Sequence, residues 1–271
     1  MKEIEGKFFL IDGIEKPIEE FDENIIINGK TIYEVIRVMK GKPLFYNMHI
    51  ERFHNSANLS GIKIFISDDE LKNQMINLIS INNIDWGNVK IALKNDSLSI
   101  FKIKHKYPDK NDYDKGVSTV LFIGERKDPN IKLIDTEFRA RANEKIKAKG
   151  VYEAILVDNN GYITEGSRSN IFMVKEEKLI TSPSSSVLPG ITRTIIIAAA
   201  KKLGLTVIEE KISYKEIDKV DGLFISGTST KVLPVSKVDE IYLGSTSNSI
   251  IGQLMKEYDK LAQEDINSFS L

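Results

Sequence analysis

The chain has 271 residues, of which 41% are hydrophobic, and this is enough to bury a substantial core in one large domain or two modest ones. Its 38 lysines and arginines nearly balance its 39 aspartates and glutamates, so no global field would steer it to nucleic acid or an anionic membrane. The absence of cysteine excludes a disulfide framework and a thiolate metal site, and three scattered histidines argue against a histidine-rich metal centre.

The N-terminal region predicts strands. Its first residues, MKEIEGKFFLIDG, carry acids where a signal peptide needs cations, and no apolar run of the sequence reaches transmembrane length. We therefore expect a cytoplasmic protein. Further along, TIYEVIRVMKGKPLFY predicts a strand hairpin that turns at Lys40, Gly41 and Lys42.

Two helices are expected next. In NMHIERFHNSANLSGI, the residues Ile50, Phe53 and Ala57 have helical spacing, and Gly61 would end the helix. The residues from Ser67 to Glu70 form the capping-box pattern S-x-x-E, which predicts the start of a second helix. Strands are predicted at NVKIALK and LSIFKIK.

The polar segment from Lys104 to Gly116 has no periodicity and is the best candidate for a linker, although a long surface hairpin loop would have the same composition. We therefore predict an N-terminal α/β domain at 1–115 and a C-terminal α/β domain at 116–271.

The second half predicts more strands than helices. One helix should end at Gly150, and LPGITRTIIIAAAKKLG should form a buried helix that stops at Gly204. Strands are expected at VSTVLFIG, YEAILVD, GYITEG, SNIFMVKEEKLITS, TVIEEKI, GLFISG and KVLPVSKV, and a terminal amphipathic helix from about Ser245. Because strands and helices alternate in irregular groups, we expect mixed α+β or α/β layers and no doubly wound sheet.

Two short segments have the composition of anion sites. In PGITR, a proline and a glycine turn the chain so that Ile191 and Thr192 present amides at a helix start, and SGTST follows a predicted strand. Neither matches a nucleotide-binding loop. An ordinary N-cap and an ordinary turn would show the same residues.

The sequence allows two interpretations for each of two basic residues. Arg52 is either a solvated surface arginine or a cation aimed at phosphate, which arginine binds with two parallel hydrogen bonds. Lys132, in PNIKLI, either points outward from a strand or lies in apolar surroundings, where desolvation would lower its pKa and make a nucleophilic amine.

Five segments in order, HIERF, NIK, GYITEGSRSNIF, LPGITR and ISGTS, resemble the fold-type-IV pyridoxal-phosphate enzymes. These class IV aminotransferases include branched-chain aminotransferases, D-amino-acid aminotransferases and aminodeoxychorismate lyases. The resemblance runs from about Tyr33 to Val235. It implies two α/β domains, the second carrying the Schiff-base lysine, with pyridoxal 5'-phosphate in the cleft between them, and a homodimer.

The resemblance also implies a role for each matching residue. Lys132 would be bound covalently to the cofactor and would move the substrate's alpha proton. The cofactor phosphate would be held by cations, amides and hydroxyls of Arg52, Ile191, Thr192 and Thr228. Tyr33 would face the substrate, and Ser229 would lie near the substrate carboxylate.

Glu165 would contact the pyridine nitrogen, where a carboxylate favours the protonated ring. On its residues alone, GYITEGSRSNIF gives an exposed turn acid. A lysine lies 33 residues earlier and a helix start lies 26 residues later, and the resemblance implies that they bind the two other ends of the same cofactor. We therefore expect Glu165 to be at least partly buried and ionised.

The chain departs from the family pattern after Lys132, where KLIDTEF has Asp135 and Phe138 in place of an asparagine-tyrosine pair. It also lacks the arginine and histidine with which D-amino-acid aminotransferases bind the substrate carboxylate. Our first hypothesis is transfer of an amino group between a branched-chain or D-amino acid and a 2-oxo acid. The alternatives are release of pyruvate from aminodeoxychorismate and a non-catalytic anion-binding relative.

Overall fold

A computed structural model describes residues 4–27 and 29–270 and separates the chain into two compact units. Unit 1 comprises Met1–Lys106, Ile131–Ile134 and Ala262–Leu271, and unit 2 comprises Tyr107–Asn130 and Asp135–Leu261. The predicted domains, 1–115 and 116–271, remain a prediction. The two divisions differ in three segments. Residues 107–115 belong to unit 2 and not to the N-terminal unit, and residues 131–134 and 262–271 belong to unit 1.

Unit 1 is built on an antiparallel sheet of six strands in the order β2-β1-β6-β5-β3-β4. The strands are β1 Ile4–Ile11, β2 Ile14–Pro17, β3 Thr31–Met39, β4 Lys42–Pro43, β5 Trp86–Lys94 and β6 Ser97–Ile103. The predicted hairpin is confirmed, with Lys40 and Gly41 at positive φ angles in the turn; Lys42, also expected in the turn, is the first residue of β4.

The helices of unit 1 are α1 Asn24–Ile27, α2 Tyr46–Ser60 and α3 Asp68–Ile81, with a short 3-10 helix at Ile18–Glu20. Gly61 ends α2 in a left-handed conformation, as expected. The Ser67 side chain accepts a hydrogen bond from the Glu70 amide and begins α3, so the predicted helix start is confirmed. Helix α2 packs on β3, and α3 packs on β1 and β6.

Strand β3 separates two apolar clusters of unit 1, because alternate side chains point to opposite faces. Ile32, Ile36 and Val38 pack with Phe53 of α2, whereas Tyr33 belongs to a second cluster with Phe9 and others. Full burial of one such side chain stabilises the fold by roughly 1.5–3 kcal/mol.

The segment Ile131–Ile134 pairs with β3 in an antiparallel manner. The Tyr33 amide donates to the Lys132 carbonyl at 3.0 Å, the Ile134 amide donates to the Thr31 carbonyl at 3.0 Å, and Leu133 bridges Ile32. Backbone pairing therefore fixes the position of Lys132 relative to β3.

Unit 2 contains a mixed sheet of ten strands in the order β12-β11-β10-β14-β15-β7-β8-β9-β13, with β16 paired to β15. The strands are β7 Val117–Ile123, β8 Glu153–Val157, β9 Tyr162–Gly166, β10 Asn170–Lys175, β11 Lys178–Thr181, β12 Val207–Glu209, β13 Ile212–Ser213, β14 Gly222–Gly227, β15 Lys231–Val238 and β16 Ile241–Tyr242. The pairs β11/β12, β15/β7 and β7/β8 are parallel, and the other pairs are antiparallel.

Four helices follow in chain order: α4 Lys110–Lys115, α5 Thr136–Lys149, α6 Ile191–Lys202 and α7 Ser249–Ser268, together with 3-10 helices at Ser184–Ser186, Tyr214–Lys219 and Ser245–Ser247. Gly150 ends α5 as predicted. Helix α6 ends at Lys202, two residues before the predicted stop, and Thr194 and Ala198 are exposed, so this helix is less buried than expected.

The architecture confirms the mixed α+β class and the absence of a doubly wound sheet. In the part of the chain that the structure describes, no helix is long and apolar enough to cross a membrane.

Candidate active site

Lys132 and Tyr33 lie together in unit 1. The Lys132 side chain is half-buried, and its Nζ lies 4.7 Å from the centre of the Tyr33 ring, which is itself buried. The Lys132 amide donates a 3.4 Å hydrogen bond to Ser56 Oγ on α2. Of the two alternatives for Lys132, the structure therefore favours the enclosed amine over the outward-facing one.

Arg52, His49 and Glu34 form a buried cluster between α2 and β3. Arg52 and His49 lie three residues apart on α2, on the same face as Phe53 and Ser56. Arg52 donates from Nε to Glu34 Oε1 at 2.8 Å and from Nη2 to Glu34 Oε2 at 2.6 Å. His49 Nδ1 lies 2.7 Å from Glu34 Oε2. Arg52 is therefore not a solvated surface arginine, because it is buried. It is also not simply a cation aimed at phosphate, because one edge of its guanidinium binds Glu34.

Charge in this cluster is balanced. Burial acts to raise the pKa of Glu34, but the Arg52 guanidinium and the hydrogen bonds from Arg52 and His49 outweigh it and hold the pKa at about 2. Burial lowers the pKa of His49 despite the opposing effect of Glu34. At neutral pH Glu34 and Arg52 thus form an ion pair beside a neutral histidine, whose Nδ1 carries the hydrogen because Glu34 can only accept.

A second lysine contacts the Tyr33 ring. Lys90 of β5 is 6% exposed, and its Nζ lies 5.1 Å from the centre of the Tyr33 ring and 5.9 Å from that of Phe101. An ammonium group over the face of an aromatic ring makes a favourable cation–π contact. Sequence reasoning did not single out Lys90.

In unit 2, Glu165 of β9 is 4% exposed, which confirms the expected burial. Its Oε1 accepts a 3.1 Å hydrogen bond from Arg126 Nη1, and its Oε2 accepts one of 3.1 Å from the Leu188 amide. Arg126 Nη1 also donates to the Pro129 carbonyl at 3.0 Å. A cation and a backbone amide thus hold the carboxylate at both oxygens, which favours its ionised form.

Another buried acid, Glu153 of β8, orders the loop after Glu165. Its Oε1 accepts hydrogen bonds from the Arg168 amide at 2.6 Å and from Ser169 Oγ at 3.0 Å. A Cβ at Gly166 would collide with Ser169 Oγ, so only glycine allows this approach. Burial raises the pKa of Glu153 more than these bonds lower it.

The two predicted anion segments meet near Asn170. At α6, Gly190 is the N-cap and has no side chain to bind the first amides, and Ile191 and Thr192 are buried in the first turn. Asn170 Oδ1 occupies the place of a Gly190 Cβ. On β14, Ser226 is the register partner of Asn170, and the loop that follows carries Thr228 and Ser229. The helix start and the 226–230 loop are thereby brought into one neighbourhood.

These residues fit a phosphate group. Ser226 is 1% exposed, and its hydroxyl has no hydrogen-bond partner within residues 4–27 and 29–270. A buried hydroxyl without a partner is costly unless something binds it. With the α6 amides, which attract anions at a helix start, the donors are of the type that a phosphate needs. No cluster of metal-ligating residues occurs among the described residues.

The residues that sequence reasoning missed are Glu34, Lys90, Arg126 and Glu153. Glu34 could have been found, because it stands between Ile32 and Ile36 on a strand face that is otherwise apolar. A charged residue in such a position is buried and needs a partner. Nothing comparable in the sequence marks Arg126, which follows β7 in a polar segment.

Comparison with known proteins identifies relatives along almost the whole chain. The family model described as amino-transferase class IV matches residues 31–238. A putative branched-chain-amino-acid aminotransferase of Methanocaldococcus jannaschii is 27% identical over 94% of this chain and 92% of its own length. The branched-chain-amino-acid aminotransferase of Escherichia coli K12 is 32% identical over 80% of this chain and 78% of its own. The D-alanine aminotransferase of Bacillus licheniformis is 28% identical over 89% of each.

Solved structures have the same fold. A branched-chain amino acid aminotransferase of Escherichia coli superposes with a TM-score of 0.86 at 24% identity and covers 97% of both chains. The branched-chain amino acid aminotransferase of T.th., solved with pyridoxamine 5'-phosphate, gives a TM-score of 0.85 at 23% identity, with 97% of this chain and 96% of that one covered.

Proposed function

Since this chain belongs to the class IV aminotransferases, we propose that it moves an amino group between an amino acid of branched-chain or D-amino-acid type and a 2-oxo acid. Aminotransferases of this class use pyridoxal 5'-phosphate. The observation that carries the proposal is the half-buried amine of Lys132 beside the Tyr33 ring, within the residues that match the family. The names of the relatives support the two substrate types.

Lys132 is proposed to bind the cofactor covalently. When bound, the cofactor supplies an acceptor for the electron pair left behind by the alpha proton. The amine of Lys132 would also act as the general base, because Nζ would accept the substrate's alpha proton and pass it on during the transfer. Tyr33 excludes water from one side of this amine, and Tyr33 and Ser229 contact the substrate in this proposal.

Glu165 is proposed to face the pyridine nitrogen and to keep a proton on it. Its two hydrogen bonds, from Arg126 and from the Leu188 amide, support a carboxylate that is ionised and fixed in orientation.

The phosphate is assigned to one cation and a set of backbone and hydroxyl donors. Arg52 supplies the cation, and the amides of Ile191 and Thr192 with the hydroxyls of Thr192 and Thr228 supply the donors. The Ser226 hydroxyl supports this assignment, since it has no partner among the described residues. A cytoplasmic homodimer remains part of the proposal, and sedimentation of cofactor-loaded protein tests the dimer.

The deciding experiment is a panel of both enantiomers of branched-chain amino acids and alanine with 2-oxoglutarate. We expect glutamate to form from one enantiomeric series, with an absorbance band in the near-visible when the cofactor is bound. Lys132→Ala should remove the band and the turnover, whereas Lys94→Ala, a lysine of β5 that binds the Asn24 carbonyl, should retain both.

Two results would contradict the proposal. Cofactor-loaded wild-type protein without the band would remove the role of Lys132. Pyruvate release from aminodeoxychorismate with no glutamate from any donor would replace transfer by the lyase reaction.

A further inference from the structure

Glu34 is the most deeply buried acid near the proposed site and has no role in the proposed function. It is 0% exposed and lies on β3 between Ile32 and Ile36, which are buried in the apolar core. A carboxylate in such a place is costly to bury, so its retention requires strong compensating contacts.

Three hydrogen bonds supply that compensation and fix the Glu34 carboxylate. Oε1 accepts from Arg52 Nε at 2.8 Å, and Oε2 accepts from Arg52 Nη2 at 2.6 Å and from His49 Nδ1 at 2.7 Å. Because His49 binds one of the two oxygens, the carboxylate cannot rotate without breaking a bond to it. The Glu34 carboxylate therefore holds the Arg52 guanidinium in a fixed orientation.

The pair has a defined geometry. Glu34 binds the side edge of the planar guanidinium, formed by Nε and Nη2, so the plane of the guanidinium is set by the plane of the carboxylate. The guanidinium also has an end edge, formed by Nη1 and Nη2. A lysine could not be oriented in this way, because an ammonium group is not planar and cannot bind a carboxylate along one edge and a second ligand along another.

We propose that Glu34 is a positioning residue for the cofactor phosphate, which it serves by orienting Arg52 rather than by touching the ligand. The inference rests on the proposed function, in which Arg52 binds that phosphate. Strand alternation supports an indirect action, because Glu34 and Tyr33 point to opposite faces of β3 and Tyr33 is on the side assigned to substrate.

The test compares two ligands that differ only in the phosphate. Apoprotein is titrated with pyridoxal 5'-phosphate and with pyridoxal, and dissociation constants are read from the absorbance of the bound ligand. Wild type, Glu34→Gln, Arg52→Gln and the double variant form a cycle that isolates the coupling of the two residues.

We expect Glu34→Gln to weaken binding of pyridoxal 5'-phosphate about tenfold, an amount typical of a charged hydrogen bond, and to leave pyridoxal within about twofold. In the Arg52→Gln background, the same change should have no further effect on the ratio of the two constants. The matched control is Glu257→Gln, which removes a carboxylate 2.7 Å from Lys202 and should leave the ratio unchanged.

Equal losses for the two ligands would overturn the inference, because they would show a general effect on structure. A full additional loss in the Arg52→Gln background would also overturn it. If Arg52→Gln itself leaves the ratio unchanged, the phosphate role of Arg52 fails, and with it the inference.

Thermal unfolding monitored by circular dichroism checks that each variant is folded. Should Glu34→Gln not fold, Glu34→Asp keeps the buried charge but shortens its reach, and it should give the same phosphate-selective loss at smaller size. A folded Glu34→Asp with an unchanged ratio would contradict the proposal.

Discussion

Each oxygen of the Glu165 carboxylate accepts a hydrogen bond of 3.1 Å, one from Arg126 and one from the Leu188 amide. Both partners are donors, so the site is built for a group that only accepts. An amide in its place would turn its NH₂ toward one of the two donors. The hydrogen-bond donors at this position therefore favour a carboxylate over an amide.

For Glu165→Gln we expect the cofactor to remain bound and removal of the alpha proton to slow by roughly 10²-fold, since a charge that stabilises the electron-rich transition state is lost. Exchange of the substrate's alpha hydrogen with deuterated solvent, followed by NMR, measures this step alone. Arg126→Lys, which keeps a cation near the carboxylate, should slow exchange less. Unchanged exchange in Glu165→Gln would remove the role assigned to it.

Burial of Glu165 was predictable once the lysine and helix start were placed around it, and the structure confirms that burial. Its partner was not predictable, because Arg126 lies 39 residues away and follows no periodic pattern. The strand pattern indicates that Glu34 is buried, but it does not show that Arg52, 18 residues away on another element, is its partner. Ion pairs between elements depend on the tertiary fold, which local patterns do not report.

Among the elements, α6 depends on a glycine at its start. Gly190 has a φ of −67°, so its backbone needs no left-handed conformation; what it needs is space. Asn170 Oδ1 fills that space, while Asn170 Nδ2 donates to the Leu188 carbonyl at 2.9 Å. The strand β10 thus fixes both the loop that binds Glu165 and the first turn of α6.

We expect Gly190→Ala to destabilise the protein by about 1–3 kcal/mol, because Asn170 must move for the added methyl group. Affinity for pyridoxal 5'-phosphate should fall with it. The matched control is Gly252→Ala in α7, where nothing lies within 4 Å of the new Cβ, and this change should stabilise by up to about 1 kcal/mol. Urea denaturation of both variants checks the opposite signs; destabilisation of equal size in both would contradict the steric explanation.

Element ends were the most predictable part of the fold. Ser67, Gly61 and Gly150 mark helix boundaries through local chemistry, and all three boundaries are confirmed. The helix α4 was missed inside the predicted linker, because its six residues are too few for an apolar face. Its capping box, Asp109 with Asp112, was the available signal.

For the molecule as a whole, two buried acids affect stability with opposite dependence on pH. The pKa of Glu34 is lowered from 4.5 to about 2, so its ionised form stabilises the fold above pH 4.5, by roughly 3 kcal/mol. This contribution is lost as the pH falls from 4.5 toward 2. The pKa of Glu153 is raised by burial, so its contribution is present at low pH and is lost as the pH rises through the folded value.

We therefore expect wild type to be more stable than Glu34→Gln at pH 7 and the difference to shrink as the pH falls below 4.5. For Glu153→Gln, wild type should gain relative to the variant as the pH falls from 7 to 4.5. Chemical denaturation between pH 7 and 3 measures both differences. Parallel stability curves for wild type and Glu34→Gln would contradict the assignment of the lowered pKa.

At this scale the alternation of strands and helices predicted the mixed α+β class, which is confirmed. It did not predict that 131–134 belongs with the first unit. That placement depends on backbone pairing with a strand about 100 residues earlier, and no local signal carries such pairing.

The position of the segment 131–134 also limits where the chain can be divided into fragments. The chain passes from one unit to the other after Lys106, Asn130, Ile134 and Leu261, so neither unit corresponds to one uninterrupted stretch of coding sequence. A fragment that ends at Lys106 would lose Lys132, the Leu133 bridge to Ile32 and the last ten residues of unit 1. A fragment that keeps Lys132 paired with β3 must therefore contain both Thr31–Met39 and the segment 131–134.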